Sequence, residues 1–134
     1  MKYVYPTIFS SEKGKVLVSV PDLSGLHTFG DSMADALFMA KDAIEMWLWD
    51  AENKGEQIPP ASTHKKISKL IKSPDQVVSM VAADTDEYRR QNDTRSIKKT
   101  LSIPAWLNTQ AEKANAPFSQ ILQQGLKKYL HLSQ

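Results

Sequence analysis

Near the C-terminal end, the stretch "SIKKTLSIP", Ser96 to Pro104, places ammonium and hydroxyl groups at alternate positions. In an extended chain Lys98, Thr100 and Ser102 leave one face, and Ile97, Lys99, Leu101 and Ile103 leave the other. The first face is short, polar and basic. Such a face suits the reading of base edges, because an ammonium donates to guanine acceptors and a hydroxyl serves either role. The second face is apolar except for Lys99, which must snorkel to the rim or reach a phosphate. One such strand leaves its backbone groups unpaired. Two copies from two chains can pair antiparallel across a two-fold axis, with four helices closing the apolar side. The resulting ribbon fits the major groove and presents Lys98, Thr100 and Ser102 twice. Ser119, at the expected start of the last helix, supplies a hydroxyl and exposed N–H groups suited to a phosphate oxygen.

Other chemistry is thinly represented. The chain has no Cys, which excludes disulfides, thiolate metal sites and Cys nucleophiles. His27, His64 and His131 are far apart and lack ligand spacing, so no metal site and no cofactor are expected. The acidic run Asp84–Glu87 reads as a solvated turn after a strand, in preference to a set of metal ligands. Trp47 falls on the apolar side of a helix and reads as core. Trp49 points elsewhere and is the better candidate for an exposed anchor to a protein partner.

The elements that must position these residues are legible from periodicity. "KYVYPTIFS" and "KVLVSVPDL" alternate around Gly14 and signal a hairpin, with Pro6 requiring a sheet edge at its strand or at its end of it. "GLHTFG" is a short third strand. Ser32 with Asp35 opens a helix that Gly55 ends, its apolar side formed by Met33, Leu37, Ala40, Ile44, Trp47, Leu48 and Ala51. Residues 53–66 are loop, and "KISKLIKSPD" is a short strand or a turn. "DQVVSMVAAD" is a further strand, and "RRQNDTR" a polar linker. "PAWLNTQAEKAN" and "SQILQQGLKKYLHL", the latter capped by Ser119, are helices separated by "AP". The fold class is α+β. A β-β-β-α-β body spans residues 1–89, a linker 90–95 and a strand-helix-helix tail 96–134.

Charge follows the same division. Residues 1–92 hold 11 Lys/Arg against 13 Asp/Glu, whereas residues 93–134 hold six against two. A basic tail on a near-neutral body suits an anionic partner, and it also fits ordinary scatter. No apolar run approaches the roughly 18 residues of a membrane span, and the N-terminus is unlike a secretory signal, so a cytoplasmic location is expected. A tail that only joins two bodies, without touching DNA, is the competing reading.

Residues 96–132 resemble a ribbon-helix-helix DNA-binding domain. With the body, the motif "PDLSGLHTFGDSMADALFMAKDAIEMWL" and the ending "IPAWLN…FSQILQQGLKKYL", the whole chain resembles a HicB-type antitoxin. That resemblance implies a partial ribonuclease-H-like body that binds a small HicA-type ribonuclease toxin, and a homodimeric tail that binds operator DNA. It assigns base readout to Lys98, Thr100 and Ser102. Toxin contact is expected at the open strand edge or the loop at Asp22–Leu26, with Trp49, Asp84 and Asp86 as further candidates. Nuclease activity is not expected: two-metal chemistry needs carboxylates converging from strand centres. The first strand has none, and the second only Asp22 at its exit.

Overall fold

The computed structural model describes residues 1–132, which form two compact units, Met1–Arg95 and Ser96 onward. In the first unit, β1 (Lys2–Glu12), β2 (Lys15–Ser19), β3 (His27–Gly30) and β4 (Gln76–Asp84) make one antiparallel sheet in the order β3-β2-β1-β4. The β1–β2 connection is a two-residue turn with positive φ at Lys13 and Gly14, the mirror-image geometry that matches strand twist.

The ladder explains Pro6. Ser11 N donates to Asp75 O just past one end of the β1–β4 pairing, and Thr85 N donates to Met1 O just past the other. Both pairs have odd-numbered members, so the odd residues of β1 and β4 exchange bonds and the even residues turn away. Pro6 therefore turns toward the β2 side, in the half of β1 that β2 does not reach. The edge expected of it is present at that end of an otherwise central strand.

Helix α1 (Met33–Lys54) covers one sheet face. Ser32 Oγ accepts from Asp35 N at 3.1 Å, while the Asp35 carboxylate accepts from Asp31 N at 2.9 Å. Gly55, at φ 69°, closes the C-terminus with its N–H on the last carbonyls. The stripe against the sheet is Ala36, Ala40, Ile44, Leu48 and Ala51, all buried, facing Tyr5, Phe9, Val18, Val20, Leu23 and Val81. Met33 and Leu37, expected in that stripe, are instead exposed. The cause is the close docking of the helix start on Gly30, where a Cβ would lie 2.3 Å from Ala36 N. Small residues must therefore face the sheet there, and the large ones rotate outward. Trp47 packs at the edge of this core and donates from Nε1 to Ser24 O at 3.3 Å.

Beyond α1 the structure corrects the reading three times. "KISKL" is neither strand nor turn but a short helix, α2 (His64–Ser68), capped by Thr63 and anchored by buried Ile67. The acidic run is not a solvated turn. Asp84 caps helix α3 (Thr85–Asn92), accepting from Asp86 N and Glu87 N, so these acids sit where the helix dipole favours them. "RRQN" is consequently the end of that helix, and the irregular stretch begins only at Asp93.

In the second unit α4 (Ala105–Lys113) and α5 (Phe118–Tyr129) are joined by a turn in which Asn115 takes φ 52°. Ala116 N bonds back to Ala111 O, so Asn115 performs the left-handed helix stop usually given to glycine. Residues 93–104 carry no regular structure, and no strand of the same chain pairs with them. The expected strand is thus a segment without a partner in one copy. No described residue of this unit is buried.

Gly30→Ala should cost about 1–3 kcal/mol or more, because the new methyl meets helix backbone and not a flexible side-chain end. Urea denaturation measures it, and an unchanged midpoint would contradict this packing.

Candidate functional site

The tail separates the two faces of the 96–103 segment. Leu101, Ile103, Leu107, Phe118, Ile121 and Leu122 line an open groove of about 600 Å³, and Lys99 lines it too. Lys98, Thr100 and Ser102 lie outside that lining and are exposed. The period-2 division is therefore present in the structure, with Lys99 on the apolar side. Ser119 departs from expectation. Helix α5 starts one residue earlier with Pro117 at its N-cap, no side chain caps it, and Ser119 belongs to the groove lining.

The residues expected to meet a protein partner are mostly engaged within the first unit. Asp22 accepts from Ser62 N at 2.8 Å and from Ser62 Oγ at 2.6 Å, pinning the 56–63 loop to the end of β2. Nearby, Tyr5 OH donates to Pro59 O at 2.6 Å; burial first, and the Asp22 charge second, push its pKa up. Trp49 is not an exposed anchor. It is half-buried against Tyr88 of α3, ring centroids 5.6 Å apart, because the acidic run is helical and lays Tyr88 over it. Asp84 is the helix cap, with its own N–H donated to Glu45 Oε2 at 2.8 Å. Of the four, Asp86 alone has a largely exposed side chain, at 72%.

Two glutamates of α1 fix this corner. Glu45, nearly buried, holds the Asp84 N–H and Lys41 Nζ, both at 2.8 Å, and its hydrogen bond raises the Lys41 pKa. Glu52 accepts from Tyr3 OH at 2.8 Å, Thr85 Oγ1 at 3.0 Å and Arg89 at 3.2 Å. Burial, then the hydrogen bond to Glu52, pushes Tyr3 up to about 12. Among the described residues, no group of three His, Asp or Glu side chains could hold a metal ion.

One feature escaped the sequence reading because the charge count was taken over the whole body. Between Glu56 and Asp75 there is no acid, yet Lys65, Lys66, Lys69 and Lys72 fall there. All four are exposed, on or just after α2, and among the described residues none makes an ion pair. Counting charge in windows would have found them.

A four-stranded antiparallel sheet under one long helix, followed by a separate strandless helical hairpin with its apolar side open, defines a two-part α+β binding protein. The chain belongs to the HicB-like antitoxin family of bacterial toxin–antitoxin systems, whose pattern it matches over residues 5–125. It is 24% identical over 104 residues, 78% of this chain and 75% of the other, to an uncharacterized 14.9 kDa protein from the rep-hol intergenic region of Haemophilus phage HP1. Its fold is similar to a chain of a toxin–antitoxin complex from Streptococcus pneumoniae, with TM-score 0.58 at 24% identity, covering 96% of this chain and 99% of that one. The antitoxin HicB of Burkholderia pseudomallei is similar with TM-score 0.55 at 21% identity, covering 96% of each chain. A chain of a HicA3–HicB3 toxin–antitoxin complex matches 61% of this chain and 99% of its own length, with TM-score 0.52 and 22% identity. No helix is long and apolar enough to cross a membrane.

Two outcomes check this geometry. Asp22→Ala should speed amide exchange across residues 56–63 and cost about 1.5–3 kcal/mol, the range for hydrogen bonds to a charged group. Unaltered exchange would show that the loop is held by other means. The bond from neutral Tyr3 to Glu52 should contribute fully below pH 10 and be lost as pH rises toward about 12, since the folded-state pKa is the raised one. Tyr3→Phe should therefore flatten the alkaline fall in stability measured by denaturation.

Proposed function

We propose that this chain is an antitoxin that neutralises a small HicA-type, mRNA-cleaving toxin through its first unit and represses its own operon through its second. Membership in the HicB-like family supports the first half. The observation that carries the second half is a helical hairpin without a buried residue, beside a segment whose polar and apolar side chains strictly alternate. A unit that buries nothing gains almost no hydrophobic stabilisation by itself. A second copy supplies what it lacks. The two 96–103 segments pair antiparallel, Leu101 and Ile103 seal against both hairpins, and a ribbon-helix-helix forms. Its outer face carries Lys98, Thr100 and Ser102 twice, matched to a palindromic operator. Ser119, on the groove side, is a poorer phosphate ligand than the backbone N–H groups that begin α5.

For the toxin, the remaining exposed carboxylates of α1 and α3, Asp42 and Asp86 among them, suit the basic surface of an RNA-cleaving protein. Asp22, Asp84 and Trp49 act at one remove, by holding the loop and helix that shape this surface.

Lys98→Ala and Thr100→Ala should each weaken binding to operator DNA by about 1–3 kcal/mol while leaving dimer mass unchanged. Wild-type affinity should fall steeply with added salt. Operator binding by both variants at wild-type strength would remove direct readout by this face. A wild-type protein that binds no DNA at low salt would favour a tail that serves only to join two bodies.

A further inference from the structure

We propose that the free edge of β4 is a second self-association surface, on which β4 of another copy pairs antiparallel to extend the sheet across a two-fold axis. The proposal concerns the first unit alone and does not depend on the ribbon of the second.

The ladder alternation assigns the edge. Odd residues of β4 bond to β1, so Gln76, Val78, Met80, Ala82 and Asp84 direct their N–H and C=O groups outward. At both ends of the strand those groups are already occupied. Gln76 N donates to Ser73 O at 3.1 Å, His64 Nε2 lies 3.4 Å from Val78 O, and Asp84 N donates to Glu45. Among the described residues, nothing occupies the N–H and C=O groups of Met80 and Ala82. An edge blocked at its ends and open in the middle accepts a short pairing of defined register.

The window is also apolar. Ala34, Leu37, Phe38 and Lys41 of α1 form a shallow groove with Met80, Val81 and Ala82, and Phe38 is 74% exposed. The opposite edge of the sheet offers much less, because β3 has only four residues.

Charge selects the occupant. Residues 77–83 carry no charge, so nothing repels an identical strand. The start of β4 is flanked by the unpaired lysines Lys69 and Lys72, and its end runs into Asp84, Asp86 and Glu87. Antiparallel pairing about Met80 sets the basic end of one copy against the acidic end of the other, twice. It also matches even residues with even residues, Val78 with Ala82 and Met80 with itself, as the outward bonding pattern requires. A parallel pairing would bring like charges together.

The test is the mass of the full-length chain by light scattering, compared with Met80→Pro and Ala82→Lys. Proline at position 80 removes an outward N–H that the β1 ladder does not use, and Ala82 is exposed, so circular dichroism should confirm that both variants fold. Each variant should halve the wild-type mass, from four chains to two if the tail also dimerises, or from two to one if it does not. Cys placed at Met80, in a chain with no other Cys, should be joined to its mate by a short bismaleimide. Unchanged mass in both folded variants would overturn the proposal. So would unchanged mass with loss of toxin binding, which would give the edge to a strand of the toxin.

Discussion

Backbone hydrogen bonding that one copy of the chain does not complete is the constraint around which this structure is organised. Every extended residue carries a donor and an acceptor that need partners. In the first unit β1 satisfies the need on both sides along Ile8–Glu12 and on one side along its first half. Pro6 occupies a place where no second partner exists, so its missing donor costs nothing. Where β4 would leave donors and acceptors open, Ser73, His64 and Glu45 reach some of them and stop at Met80 and Ala82. The 96–103 segment is the extreme case, with no strand beside it and an apolar face left open with the two helices.

The same constraint explains why polar side chains that look functional in the sequence do structural work. Asp22, Asp84, Glu45 and Glu52 each accept from backbone or side-chain groups at junctions between elements. A carboxylate with two such bonds is costly to redirect toward a partner, since its own donors would be left unpaired. Partner contact then falls to side chains without such duties. On the first unit these are Asp42, Asp86, Phe38 and the lysines of α2; on the second, Lys98, Thr100 and Ser102.

How far the sequence foretold this depends on the range of the interaction involved. The hairpin at Gly14, the capped helix from Ser32 to Gly55 and the alternation in 96–103 are set within a few residues, and the structure has all three patterns. Readings that needed the tertiary neighbour failed. Leu37 lies at helical spacing with Ile44 and Leu48, yet it faces outward because Gly30 admits only an alanine-sized approach at Ala36. Trp49 was read as exposed because the helix that covers it was read as an acidic turn; an Asp followed by Thr, Asp and Glu is also a helix start, and that signal was available. Ser119 was placed one position too far along as a cap, since Pro117 holds that position.

A final consequence concerns how the two surfaces differ in cost. The first unit has a core of its own, so pairing along β4 joins folded bodies and needs no reorganisation beyond side chains at the rim. The second unit has no buried residue, so pairing there supplies the core itself and couples assembly to ordering of the 96–103 segment. Association through the tail should accordingly be the tighter of the two, and dilution should separate bodies before it separates tails. An assembly built on one strong and one weak two-fold contact changes its number of chains with concentration while keeping its DNA-facing residues paired. On that basis occupancy of the first unit by a toxin can alter the number of chains without dismantling the ribbon.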